Sequence, residues 1–95
     1  MSGYRINRQL TEFGEHVRGW RMVLGLNAQQ VSERAGITRD TLRKIESGNP
    51  NVSFNSVTQV LRALGILDQL VDAADPLASD IGRLRAGRLT RKRAR

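Results

Sequence analysis

Apolar residues recur every three or four positions near the start of this chain, which is the period of an amphipathic α-helix. The pattern predicts a first helix over Glu12–Leu24, with Thr11 as its N-cap and Gly25 at its end. The apolar face of this helix consists of Leu10, Phe13, Val17, Trp20 and Leu24. Residues 1–9 are polar and show little pattern, so we expect a flexible N-terminal arm.

Capping residues and glycines divide the following stretch into four more helices. The predicted helices cover Ala28–Ala35, Arg39–Glu46, Phe54–Leu64 and a short segment from Ile66 that ends before Asp75. No polar–apolar alternation is long enough to predict a strand. We therefore expect an all-α domain of five helices over residues 10–74. Trp20 and Phe54 fall on apolar helical faces, which predicts that both lie in the core.

Composition excludes several classes of site. Ninety-five residues fit one small domain, and the absence of cysteine excludes disulfides and thiolate metal sites. His16 is the only histidine, and no nucleophile–base pair or phosphate-binding glycine loop is present, so we expect no enzyme, metal or cofactor. No apolar run approaches the roughly 18 residues of a membrane span or resembles a signal peptide. We expect a cytoplasmic protein, located at the nucleoid when bound to DNA.

The positive charge is concentrated in residues 75–95. The chain has a net charge of +7, and this segment holds seven basic residues against two acidic ones, a net charge of +5. The basic residues are Arg83, Arg85, Arg88, Arg91, Lys92, Arg93 and Arg95. Such a tail is either disordered and solvated or becomes ordered on a partner. Leu77, Ile81, Leu84 and Leu89 have the spacing of an amphipathic helix that could bind that partner.

Residues 27–48 have the features of a reader of the DNA major groove. Two short predicted helices are joined by Gly36, and the second helix turns Leu42 and Ile45 inward. Its outward residues are Arg39, Asp40, Arg43 and Lys44, which we predict to contact bases. Candidate phosphate-binding residues are Thr38, Ser47, Asn49, Asn51 and Ser53, with Gln29 on the preceding helix. From spacing alone, the charged face could equally be an ordinary solvated surface.

The segment Asn27–Gly48 resembles the helix-turn-helix of the Xre family, which includes the lambda-type repressors and Cro proteins. The similarity extends from about Phe13 to Leu70. The residues that carry it are Ala35-Gly36-Ile37-Thr38 at the turn, Ile45, Glu46 and Gly48 after it, and Arg21 in the first helix. The resemblance implies a lambda-repressor-like fold.

The same resemblance assigns roles to individual residues. It implies that Arg21 and Glu46 form a structural ion pair between the first and third helices. It places Arg39, Asp40 and Lys44 at base-contacting positions. The chain departs from the family at Ala28, where members usually have a glutamine that binds phosphate and braces the recognition helix.

These observations predict a dimeric, sequence-specific repressor of transcription that binds an inverted repeat in double-stranded DNA. We expect the dimer contact at an exposed apolar patch formed by Ile66, Leu67, Leu70 and Val71. In a chain of this length we expect no second, signal-sensing domain, so regulation is expected from a partner, a competitor or protein turnover.

The nature of that partner is indicated by a second, looser resemblance. Asn49-Pro50-Asn51-Val52-Ser53 and Leu64-Gly65-Ile66 are similar to the HipB-like antitoxins, which bind their own operator and a HipA-like kinase toxin. The alternatives are a stand-alone phage-type repressor and a protein that binds RNA or the ribosome through its basic tail.

Overall fold

The computed structural model describes residues 2–89, with side chains from residue 5 onward, and this part of the chain is helical without any strand. Its elements are α1 (Ser2–Val23), α2 (Ala28–Ala35), α3 (Arg39–Glu46), α4 (Phe54–Ala63), α5 (Leu67–Ala74), a 3₁₀ turn (Pro76–Ala78) and α6 (Asp80–Leu84). The predicted all-α fold is confirmed. The bounds of α2 and α3 coincide with the predicted ones, because strong caps define both ends of each helix.

Helix α1 is longer than its apolar pattern predicted. It begins at Ser2, so the predicted start at Glu12 is wrong, and residues 2–9 are helical where a flexible arm was expected. Thr11 does not cap the helix, because its hydroxyl donates to the Asn7 carbonyl oxygen within it, at 3.1 Å. Residues 5–9 are exposed on all sides. Because these residues bury no apolar stripe, the hydrophobic pattern did not predict that the start of α1 is helical.

The core joins the first four helices. Helix α1 packs against α3, and α2 packs against α4 and α3. The fully buried apolar residues are Val17, Val31, Ala35, Leu42, Ile45, Val60, Leu61 and Leu64. In a cluster this small, truncation of one large member such as Leu42 to alanine costs about 2–5 kcal/mol of stability. The position of α3 therefore depends on the whole cluster.

The backbones of α1 and α3 approach each other directly at Gly14. This glycine is buried, and a Cβ atom on it would lie 2.5 Å from the Glu46 carbonyl oxygen and 2.7 Å from that of Ile45. No other residue allows the same separation, since a methyl group would push the helices apart. Glycine has a low helix propensity, and this close packing explains its presence in the middle of α1.

Two aromatic residues lie outside the predicted core. Trp20 is 39% exposed and Phe54 is 73% exposed, so their assignment to the core is wrong. Helix α4 buries residues of its C-terminal half, Val60 and Leu61, whereas Phe54 is its first residue. In α1 the buried positions are Gly14 and Val17, and Trp20 lies one turn beyond them. Both aromatic residues have the spacing of an apolar helical face, but they lie beyond the part of each helix that packs against the core.

The predicted apolar patch on α5 is mostly covered by the domain itself. Ile66, Leu67 and Leu70 are partly buried and pack against the core, and only Val71 is exposed, at 61%. These three side chains complete the hydrophobic core where an exposed patch was expected. Of the four residues expected to form an exposed patch, only Val71 is therefore exposed to a partner.

The chain continues in helical form beyond α5. The 3₁₀ turn and α6 follow, so residues 76–84 are helical in a segment for which the sequence left open disorder or ordering on a partner. Arg91, Lys92, Arg93 and Arg95 of the predicted basic tail lie outside the described residues. Across residues 2–89, no helix combines the length and the apolar character needed to cross a membrane.

Candidate nucleic-acid interface

Caps at both helix starts define the geometry of the α2–turn–α3 unit. The Asn27 side chain accepts from the Gln30 N–H at 2.8 Å, and the Gln30 amide oxygen accepts from the Asn27 N–H at 2.9 Å. Such a reciprocal pair satisfies two free donors at a helix start. Gly36 then ends α2 in the left-handed region, at φ 70°. The Thr38 hydroxyl accepts from the Thr41 N–H at 3.0 Å and so begins α3.

Arg62 adds a connection that the sequence pattern did not indicate. Its guanidinium donates to the Arg34 carbonyl oxygen in the last turn of α2, at 2.8 Å, and also to the Gln59 side chain. A cation beside the free carbonyls of a helix end stabilises that end. The turn between α2 and α3 is therefore supported from α4, across 28 residues of chain.

One buried polar group lies beneath this unit. Ser32 is 2% exposed, and its hydroxyl oxygen has no hydrogen-bond partner among the described residues. A buried hydroxyl without a partner costs about 1–3 kcal/mol. The site thus carries a small destabilising feature within an otherwise apolar interior.

An ion pair fixes α3 to α1. Arg21 binds Glu46 with two bonds, Nε to Oε2 at 2.8 Å and Nη2 to Oε1 at 3.0 Å, and also donates to the Leu26 carbonyl oxygen at 3.3 Å. The two side chains are only 14% and 11% exposed. The hydrogen bonds to Glu46 raise the pKa of Arg21, against the opposing effect of burial. This is the pair that the resemblance implies, and it holds the end of α3 against α1.

The outward face of α3 carries the four predicted base-contacting residues, and all four are exposed. The Asp40 carboxylate binds Arg43 and also Lys44, whose Nζ lies 3.4 Å from Oδ2. The hydrogen bond from Arg43, followed by that from Lys44, lowers the pKa of Asp40. Arg39 forms no ion pair with any residue in the described range. The guanidinium of Arg39, at the first position of α3, is therefore available to an outside ligand.

The predicted phosphate-binding residues lie on the surface but already make local hydrogen bonds. Gln29 donates to Glu33 at 2.8 Å, and the Ser47 hydroxyl donates to the Lys44 carbonyl oxygen at 2.9 Å. Asn49 accepts from the Asn51 N–H at 2.7 Å. The remaining two, Thr38 and Ser53, are the N-caps of α3 and α4. Their contact with phosphate stays a prediction. Thr38 begins α3, and the other four, apart from Gln29 on α2, lie between the end of α3 and the start of α4.

A shallow depression lies beside Ala28. It has a volume of about 460 Å³ and is bordered by Ala28, Arg39, Asp40, Leu42, Arg43 and Glu46. The methyl group of Ala28 does not fill it, so no α2 side chain braces the outward face of α3 from this position. The longer glutamine that the resemblance implies at this position would reach from the start of α2 toward α3.

Comparisons with known proteins agree with this geometry. A family model described as a helix-turn-helix domain matches residues 12–74, from the second half of α1 to the end of α5. An uncharacterized HTH-type transcriptional regulator of Methanothermobacter thermautotrophicus is 37% identical over 49 residues. That alignment covers 52% of this chain and 71% of the relative. No solved structure matches.

Proposed function

This chain belongs to the helix-turn-helix domain family, and from that premise we propose that it is a repressor that binds an inverted repeat in double-stranded DNA as a dimer. Membership of the family and the similarity to a transcriptional regulator support the broader role, DNA-binding regulation of transcription. Repression, the dimer and the repeat are the specific parts of the proposal.

The observation that carries the proposal is the contrast between the two faces of α3. Leu42 and Ile45 are buried, and Glu46 is bound to Arg21, so the helix is fixed on its inner side. Its outer side presents exposed, hydrogen-bonding side chains. A rigid helix with such a face matches the major groove, which is wide enough to admit it.

Base recognition is proposed to start at the first turn of α3. The free Arg39 guanidinium can donate two hydrogen bonds to guanine O6 and N7. The Asp40 carboxylate can accept from cytosine N4, and Arg43 and Lys44 extend the contact by one helical turn. When Asp40 turns to a base, its two cations become available to phosphates or bases. Recognition thus exchanges ion pairs within α3 for contacts with DNA.

Phosphate contacts would set the register of α3 in the groove. The polar side chains around its two ends, with the backbone N–H groups at the starts of α2 and α4, suit phosphate oxygens. Two copies related by a two-fold axis would place their α3 helices in successive major grooves, about 34 Å apart. A dimer therefore requires an operator with two inverted half-sites.

Selection of bound DNA from a random duplex library tests this proposal directly. We expect enrichment of an inverted repeat whose half-site centres are one helical turn apart, about 10 base pairs. Enrichment of a single, unrepeated half-site would contradict the dimer, and an absence of any enriched sequence would contradict specific recognition. An Arg39→Ala variant in the same selection is expected to lose preference at one base pair of each half-site.

We further propose that the protein is the autoregulating antitoxin of a HipA-like kinase. The support is the similarity of the turn over residues 49–53, with Leu64, Gly65 and Ile66, to HipB-like antitoxins. A kinase-like gene next to this one, whose product co-purifies with the chain after co-expression, would bear the proposal out. An isolated gene, or a neighbouring kinase that does not co-purify, would contradict it.

A further inference from the structure

The segment after α5 is a folded unit that projects from the domain. The 3₁₀ turn packs against α5, and α6 packs chiefly against the 3₁₀ turn. Their contact is close, because a Cβ atom on Gly82 would overlap the carbonyl oxygen of Pro76. We call residues 67–89, which comprise α5, the 3₁₀ turn, α6 and the residues up to Leu89, the C-terminal arm. The family match ends at residue 74, within this arm.

The arm exposes large apolar side chains to solvent. Val71 is 61% exposed, Leu77 46%, Ile81 59% and Leu84 84%. These four residues all fall between positions 71 and 84, a density of exposed apolar side chains that suits an interaction surface. The radius of gyration is 16.2 Å, whereas a compact domain of this length has about 13 Å. The molecule therefore has an extended shape.

Charge is segregated along the same arm. Residues 67–80 contain four aspartates and no basic residue, and residues 81–89 contain three arginines and no acidic residue. Arg83 pairs with Asp80 within the arm. Asp68, Asp72, Arg85 and Arg88 form no ion pair with any described residue. The arm thus has an acidic half and a basic half, each with unpaired charges.

We propose that a second copy of this chain docks on the C-terminal arm, with the acidic half of each arm facing the basic half of the other. A two-fold axis brings the same surface of both subunits together, so the surface must be complementary to itself. A segment whose ends carry opposite charges, with apolar residues distributed along it, meets that condition.

This inference rests on the proposed function, because it supplies the contact of the proposed dimer. It moves that contact away from Ile66, Leu67 and Leu70, which pack against their own core. Of the four residues first expected to form the contact, only Val71, on the exposed side of α5, belongs to this surface. The arms would then join two domains while leaving both α3 helices free for DNA.

The first test is the oligomeric state of the full chain, measured by sedimentation equilibrium. We expect a dimer that dissociates on dilution, and a Leu84→Asp variant whose dissociation constant is at least about tenfold higher. Val23→Asp is the matched control, because Val23 is 78% exposed but lies on α1. Circular dichroism checks that both variants are folded. A monomeric wild-type chain, or an unchanged dimer of Leu84→Asp, would overturn the proposal.

A charge-exchange experiment tests the orientation of the two arms. One variant carries Asp68→Arg and Asp72→Arg, which gives its arm a net positive charge, and the other carries Arg85→Asp and Arg88→Asp, which gives its arm a net negative charge. Each variant alone is expected to be monomeric through self-repulsion, and an equimolar mixture is expected to form heterodimers. A mixture that stays monomeric would refute the charge pairing, since misfolding is checked by the spectrum of each variant.

DNA binding separates this inference from the proposed function. Monomeric arm variants are expected to keep the wild-type affinity for a duplex with one half-site and to lose the added affinity for the full repeat. Arg39→Ala is expected to weaken half-site binding while it remains dimeric. If the arm variants dissociate but no variant or wild-type protein binds selected DNA, the dimer surface stands and the proposed function fails. If DNA binds as proposed and the arm variants stay dimeric, only the surface is wrong.

Discussion

Arg21 on α1 and Glu46 at the end of α3 form a two-bond ion pair, with Nε and Oε2 2.8 Å apart. The pair bridges 25 residues of chain and lies beside the contact of Gly14 with the Glu46 carbonyl oxygen. Side-chain and backbone contacts therefore hold the same end of the recognition helix. The same contacts both position α3 and stabilise the fold.

Replacement of Arg21 by alanine is expected to lower the free energy of unfolding by about 1–3 kcal/mol. The reason is that the largely covered Glu46 carboxylate loses its charged partner and retains little access to water. Urea denaturation measures the effect. Arg18→Ala, at an exposed position of the same helix, is the control and should change stability by less than about 0.5 kcal/mol. Equal stability of the two variants would show that the pair does not hold the helix.

Replacement of Arg39 by alanine is expected to weaken binding to the selected operator by about 1–3 kcal/mol and to relax base preference at one position. The guanidinium is unpaired among the described residues, so its loss removes no contact within the protein. A gel-shift titration at constant salt measures the change, with Arg18→Ala as the charge-matched control. Full operator affinity of the Arg39 variant would rule out the proposed reading by α3.

The Asp40 carboxylate is expected to titrate below its ordinary pKa of 3.8, because Arg43 and Lys44 stabilise its charged form. A depressed pKa in the folded state adds stability above the ordinary pKa, and that stability is lost as the pH falls through the depressed value. The contribution is small at this exposed site. Carboxyl NMR shifts followed against pH give the midpoint, which should rise in an Arg43→Ala variant. An unchanged midpoint would mean that the ion pair is not populated in solution.

Replacement of Ala28 by glutamine is expected to strengthen operator binding. The longer side chain would extend into the depression between the start of α2 and the outer face of α3, and its amide would reach a phosphate. One added hydrogen bond is worth about 0.5–1.5 kcal/mol, or roughly two- to twelvefold in affinity. Titration of the operator measures the gain. Ala28→Leu, similar in bulk but unable to hydrogen-bond, is the control, and an equal gain there would point to packing alone.

The sequence alone determined the helix-turn-helix, because short-range interactions define its helices. Asn27, Gly36 and Thr38 act on backbone groups within four residues of themselves, so their effect can be read from neighbouring positions. The buried and exposed faces of α3 follow from its period for the same reason. These features include the bounds of α2 and α3 and the separation of Leu42 and Ile45 from the charged face.

Only the tertiary structure determined which apolar helical faces pack against another helix. Period alone cannot distinguish Leu70, which reaches the core, from Phe54, which does not, because both satisfy the same helical spacing. The close approach at Gly14, the support from Arg62 and the projection of the C-terminal arm all depend on residues distant in sequence. Periodicity reports that a side chain belongs to an apolar face, and only the fold determines whether another helix covers that face.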